Sequence, residues 1–515
     1  MFAKIMRRDA LVPVKNERLG LDVAAALQAC RQDFITADTD EKLIYAILRM
    51  NNARRDVHVK VWLLRGGLEL PGVRLGENDI RMDRLPTEDV PIRFSVDYGD
   101  PNRPFFFVAD AGTNPADFGG RRPALGDRLI AVNGLSVSDW CACHLPYLRW
   151  STREGMWWTL AKALSQRSRE VSPELYLPEA QFTLQGGAGD TYDLALDWRA
   201  ADTISWSGSF RKPGENRYPG FSHQFSRPCF ELYRSDDLPI VLLDWKRFSE
   251  DHVIADTDAL ITWAKKAGVL DHHVIFDGTR SRGGGYGAYV LQALTSKPFK
   301  TTFGNLRLSD AVEPFIDLIR RGREEGASLK EVDAGVWMDG GSWLWDWLVT
   351  DVRDGLARGD AYSNDVPFKL THLPKTSDGF IDPHPDHFTG RLVAMFGPYG
   401  GSHLDQFAAM VKDNGVGFTL GMPTAGYSNT WEWVEDVAFP LSGRPAVGLM
   451  YSMGHTIRPN GELLDGNPPA VDDYIPQTRD NFPHYPELLL ERAIAHLASA
   501  GADPATDEGQ ADASS

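Results

Sequence analysis

The sequence predicts a mixed α/β protein, and three observations predict it. From residue 238 onward, buried-type strands alternate with amphipathic helices, the pattern of a parallel sheet covered by helices. Ahead of that lies a stretch of short strands separated by Gly/Pro-rich turns. The chain opens instead on helical periodicity. A chain of 515 residues is long enough for two to four domains and buries a large core without metal or disulfide staples.

In chain order, Asp22 can cap the run VAAALQACRQDF, and DEKLIYAILRMNNA carries apolar residues at helical spacing, so residues 22–55 read as helical. HVKVWLL then alternates as a strand does, and 66–84 is loop-like. Residues 1–84 form this first unit. Residues 85–200 read as a β-rich module: PFFFVADA is a strand, and GDRLIAVNGLSV places two short strands around an Asn133-Gly134 turn, a hairpin signal. The α/β core occupies 201–299 and 389–500. Its strands are LPIVLLDW, HHVIFDG, RLVAMFG and VGFTLG, and its helices TDALITWAKKAG, YGAYVLQAL and LDQFAAMVKDNG. Residues 300–388 interrupt it as a Trp-rich helical insertion, with Trp337, Trp343, Trp345 and Trp347, that reads as a cap. The acidic, small-residue tail 501–515 reads as disordered.

The net charge of −17 repels phosphate backbones and anionic lipid heads, so neither nucleic acid nor a membrane is an expected partner. No run of about 18 apolar residues exists to span a bilayer. Four cysteines do not make a disulfide framework in a chain of this size. With no apolar segment behind the basic start, the sequence as written reads as cytoplasmic. The His384-Pro-Asp-His387 run and His372 do not form a helical ligand pair, so no metal is expected there.

Four stretches carry candidate chemistry. In GPYGGSHLDQFAAMV a strand enters a glycine-rich turn, then Ser402, then a helix. A serine so placed resembles a nucleophile elbow, and the His403 amide at the helix start could hold an oxyanion. It could equally be a plain helix cap. IFDGTRSRGGGYGAYVL puts three glycines after a strand, where backbone amides can approach an anion. His58 opens a strand in RRDVHVKVWLL. TIRPNGELLDGNPPAVDDYIP offers Glu462 and Asp465 as carboxylates able to orient an imidazole.

Taken together and in this order, these stretches resemble the C-terminal-processing (tail-specific) and tricorn-type serine peptidases. The matching landmarks are Asp56-x-His58, the PDZ-like run from Gly126 to Gly134, Asp277-x-x-Arg280-x-x-Gly283-Gly284, Ser402-x-x-Asp405 with Gly421-x-Pro423-Thr424-x-Gly426, and Asp465-Gly466 with Asp472. The resemblance implies a ClpP/crotonase-like mixed α/β catalytic core with an inserted PDZ-like domain at 85–200. It implies a peptidase acting through an acyl-enzyme, with Ser402 as nucleophile, His58 as base and Asp465 as the orienting carboxylate. Glu462 is the alternative carboxylate, and the amides of His403 and Gly284 form the oxyanion hole. Where the tail-specific branch carries its lysine, about 25 positions after the serine, this chain has Tyr427, which points to the histidine-dependent branch. The implied partner is a peptide or protein substrate, with a homo-oligomer left open and no cofactor required. A hydrophobic-ligand or peptide-binding protein on the same fold and a small-ester hydrolase are the competing readings.

Overall fold

The computed structural model describes residues 1–64, 79–206, 218–324, 343–367, 378–428, 431–440 and 442–499. The tail 501–515, Trp337 and His372 lie outside them.

The chain is a mixed α/β protein. Its largest sheet has seven strands in the order 221–226, 230–235, 240–245, 273–277, 392–396, 418–421 and 473–474. The four runs expected as core strands form Ile240–Trp245, His273–Asp277, Leu392–Phe396 and Phe418–Gly421, and they pair in parallel. Their near-continuous apolar character suits strands buried on both faces. Helices Val253–Ala267, Gly287–Leu294 and His403–Asp413 cover one face, around Trp245, Phe276 and Phe407. Helix Tyr485–Ser499 packs on the other face through Leu489, Leu490 and Ala493. The stretch 201–227, aperiodic to the eye, contributes Phe221–Ser226, which lies antiparallel beside Phe230–Ser235 at the sheet edge.

The helical start has more helices than its periodicity suggests. Phe2–Arg8 and Val12–Leu19 precede the expected run, which breaks into Val23–Ala29, Arg31–Thr36 and Asp40–Asn52. Asp22 caps as expected, accepting from the Ala25 amide at 2.8 Å. This helical layer packs on a four-stranded sheet of order 80–81, 61–63, 445–452 and 432–438.

Residues 92–197 supply a separate antiparallel sheet. Within it Arg128–Val132 and Leu135–Ser136 form the hairpin, with Asn133 and Gly134 both at positive φ (51° and 76°), as a two-residue type I′ turn requires. In the insertion, helices Val312–Glu324, Trp343–Val349 and Asp351–Arg358 close around Trp431. The rings of Phe315 and Trp347 lie 5.7 and 5.8 Å from it.

All four cysteines are free thiols. Among the described residues no helix is long and apolar enough to cross a membrane, and no cluster of metal-ligating side chains occurs.

Candidate active site

The nucleophile candidate sits where the parallel sheet dictates. Strand Leu392–Phe396 ends, the turn 397–401 follows, and helix His403–Asp413 begins. Ser402, between turn and helix, has φ 64° and ψ −123°. A non-glycine residue in that region is strained by about 1–3 kcal/mol and must be held there by its surroundings. Here the Ser402 amide donates to the Tyr427 carbonyl at 2.8 Å. Asp405, fully buried one turn into the helix, accepts from the Gly426 and Tyr427 amides at 2.8 and 3.0 Å. Helix start and the 425–427 strand exit are therefore stitched together, and the serine is locked in its conformation. The side chain of a plain capping serine would accept a hydrogen bond from the helix start, and the Ser402 hydroxyl accepts none.

His58 reaches this serine from the other sheet. Its Nε2 lies 2.8 Å from Ser402 Oγ, and its Nδ1 lies 2.8 Å from Glu432 Oε1. The register explains the meeting. Val61 pairs with Leu449, and Leu449 pairs with Glu435 on its far side. Strands Val61–Leu63 and Glu432–Ala438 each run antiparallel to the strand between them, so they run parallel to each other. Three residues back from Val61 is His58, and three back from Glu435 is Glu432, so both side chains emerge at one end of the sheet. The loop holding His58 is itself pinned. Asp56 Oδ1 accepts the His58 amide at 2.7 Å, and Arg149 donates to the Val57 carbonyl at 2.8 Å.

The carboxylate that faces His58 is thus Glu432, a correction to the sequence-based expectation of Asp465. Asp465 is fully buried and faces Lys15, whose ammonium lies 2.5 Å from its Oδ2. Burial pushes the Asp465 carboxyl up to about 7, with Lys15 opposing. Helix Val12–Leu19 brings Lys15 to it, and Arg18 donates to the Leu463 carbonyl at 2.5 Å and the Asp465 carbonyl at 3.2 Å. Glu462, the alternative, is exposed and bonds Arg458 at 3.0 Å and Asn467 at 3.1 Å. The 462–466 loop instead props the elbow: the Gly466 amide donates to the Gly426 carbonyl at 2.8 Å, and Gly426 is one of the residues that Asp405 holds. Sequence reasoning passed over Glu432. The available signal was the alternation of EWVEDVA, a strand opening on a carboxylate between the nucleophile helix and the closing loop.

The two adjacent glycines, one of them the expected oxyanion residue Gly284, stand differently toward the serine. A Cβ on Gly283 would fall 2.5 Å from Ser402 Cβ and 2.9 Å from the His403 amide nitrogen. Only hydrogen there leaves room before that amide. Gly284, at φ 143°, turns its Cβ position onto the Phe248 carbonyl instead. The glycine that abuts the serine is Gly283, and the Gly284 side faces away. The His403 ring plays no part at the surface of the site. It is buried against Phe248, its Nε2 accepts the Gly287 amide at 2.6 Å, and burial holds its pKa down at about 3. Its ring is neutral, with the remaining proton on Nδ1. The Tyr427 ring centroid is 5.5 Å from that of His58.

No protein-family model matches this chain, and no curated protein matches it by sequence. Solved structures do. Mature CPAF superposes with a TM-score of 0.70 at 15% identity, covering 98% of this chain and 97% of that one. Mature CPAF complexed with lactacystin gives a TM-score of 0.66 at 15% identity, covering 97% of each chain. Over almost its whole length this chain has the fold of mature CPAF.

Proposed function

We propose that this chain is a serine peptidase that cleaves peptide bonds through an acyl-enzyme, with Ser402, His58 and Glu432 as its triad. The observation that carries the reading is the continuous hydrogen-bonded line from Glu432 Oε1 through both nitrogens of His58 to Ser402 Oγ, at 2.8 Å for each link. A serine held at positive φ on a strand-to-helix turn supports it.

In the mechanism, Glu432 accepts a hydrogen bond from the Nδ1–H of His58, which leaves the Nε2 lone pair free to take the Ser402 hydroxyl proton as Oγ attacks the carbonyl carbon. The imidazolium that forms is stabilised by the Glu432 carboxylate. It then protonates the departing amine, and water returns by the same route to release the acyl group. The developing oxyanion meets the His403 amide in the space that Gly283 keeps open. Mature CPAF has been solved complexed with lactacystin, which supports a ligand site on this fold.

The test is reaction of the folded protein with a fluorophosphonate probe, read by intact mass and peptide mapping. Labelling at Ser402 is expected, absent in Ser402→Ala and His58→Ala. Glu432→Gln should slow it by about 10²–10⁴, the range for losing the imidazole's orienting carboxylate. Asp465→Asn should leave the labelling rate of whatever protein folds within a few-fold of wild type. Labelling insensitive to His58 would sink the triad.

A further inference from the structure

A cavity of about 620 Å³ opens beside the site without including Ser402 or His58. Three parts of the fold meet in it: the 92–197 sheet with its flanking helix Arg153–Ser165, the core turn 279–282, and the segment leading into the last helix. Its lining is mainly apolar, with Phe94, Leu125, Trp158, Tyr399, Phe482 and Pro486. Leu125 is 51% exposed, so an apolar wall stands open to solvent. The volume and the mostly apolar lining with a few polar groups are those of a ligand pocket, which typically spans about 300–1,000 Å³.

Two features tie this cavity to the reacting serine. Ser281 and Arg282 line it, and the next residue is Gly283, whose Cβ position falls on Ser402. Tyr399 also lines it, three residues before Ser402 on the same turn. A chain with its carbonyl at Ser402 advances about 3.3–3.6 Å per residue when extended, so a neighbouring side chain comes within reach. The main chain of the adjacent sheet edge, by contrast, is already engaged. On strand Ile92–Asp97 the Phe94 amide donates to Ser165 Oγ at 3.2 Å, and just past it the Tyr98 amide donates to the Gln477 carbonyl at 2.9 Å. An incoming peptide would have to displace these bonds to add as a strand, whereas the cavity is open to a side chain.

We infer that this cavity is a specificity pocket that takes an aromatic or large aliphatic side chain of the peptide substrate, near the bond that Ser402 attacks. The inference rests on the peptidase reading and is tested apart from it.

The direct test uses Ser402→Ala protein, which cannot turn over, with N-acetyl-phenylalaninamide as probe and N-acetyl-alaninamide as control, read by ligand-detected saturation-transfer NMR. Transfer to the aromatic probe, and at least fivefold less to the control, is expected. Adding Leu125→Glu, a change at an exposed position that should not disturb folding, should abolish it. No transfer, or transfer indifferent to Leu125→Glu, overturns the pocket whatever the chemistry at Ser402. The second test is cleavage of a peptide library by the otherwise native protein. An enrichment of Phe, Tyr, Trp or Leu at one fixed place relative to the cut is expected. Leu125→Glu should flatten it, raising KM about tenfold with kcat little changed and fluorophosphonate labelling of Ser402 intact. An unchanged preference in that variant overturns the pocket alone. Loss of labelling in the unsubstituted protein overturns the peptidase reading instead.

Discussion

At the scale of single residues, the site depends on what is missing at position 283. The Gly283 hydrogen occupies the one direction in which a methyl group would meet both the serine and the His403 amide. Gly283→Ala should therefore act on the transition state more than on binding. The expected loss in kcat is about 10²–10³, the usual effect of spoiling one oxyanion donor, with KM nearly unchanged and thermal unfolding within a few degrees of wild type. Steady-state kinetics with any cleaved peptide would check it, and an equal loss spread over KM would point to plain crowding of the substrate. The residues brought together here differ in how far the sequence disclosed them. Ser402 lies a short turn after a strand and His58 in the loop just before one, and such changes of periodicity can be read from the chain. Glu432 cannot be read this way, because its meeting with His58 depends on the register of a third strand, 445–452, lying between them. Asp465 stands where the resemblance implies the carboxylate, but it faces Lys15. Its partner Lys15 lies in a helix whose few apolar positions gave no strong period.

At the scale of elements, the parallel strands and their helices were legible because each carries a buried apolar run of the right length. Helices Phe2–Arg8 and Val12–Leu19 and the sheet edge 221–226 were not, since each is stabilised by what it packs on. Helix Val12–Leu19 is the clearest case. Its Lys15 and Asp465 are both 1% exposed, an ion pair taken wholly out of water. Such a pair adds little against an apolar replacement of both partners, but breaking it strands a charge and costs about 3–5 kcal/mol. At a pH above 7, where Asp465 is ionised, Lys15→Met is expected to lower the urea unfolding free energy by that amount, and the double variant Lys15→Met/Asp465→Leu to recover most of it. The insertion has a comparable supporting role. Phe315 and Trp347 grip Trp431, the residue immediately before Glu432, so its helices brace the carboxylate that holds His58.

For the whole molecule, buried ionisable groups set how stability follows pH. His403 and His455 are held at about 3 and about 4 by burial, below their ordinary 6.5. The unfolded chain protonates them first, so their contribution is full above 6.5 and is lost as pH falls towards 4. Asp405 and Asp465 are raised by burial to about 7 from an ordinary 3.8. Their contribution is full below 3.8 and is lost as pH rises to 7. Between these limits unfolding takes up a proton at each histidine and releases one at each aspartate, so the four groups nearly cancel; burial also lowers His144 and His273 and raises Asp9, again in opposite directions. Urea unfolding free energies at about pH 4.5 and pH 6 should agree within about 1–2 kcal/mol. A steep fall on acidification would show that the two aspartates are ionised in the folded protein.

The clasp between helix Val12–Leu19 and the 463–466 loop spans the sequence almost from end to end: Arg18 and Leu463 are 445 positions apart. A ribosome makes the helix long before it makes the loop. Throughout that interval the early helix has nothing to clasp, and the serine elbow lacks the loop that props it. On the proposed reading, translation products that stop short of this loop would lack a competent site, which could form only once the loop has left the exit tunnel. Closure over so great a separation is also slow, because loop entropy must be lost before the contact repays it. The competence of the site thus reports that the chain was read through to its closing loop.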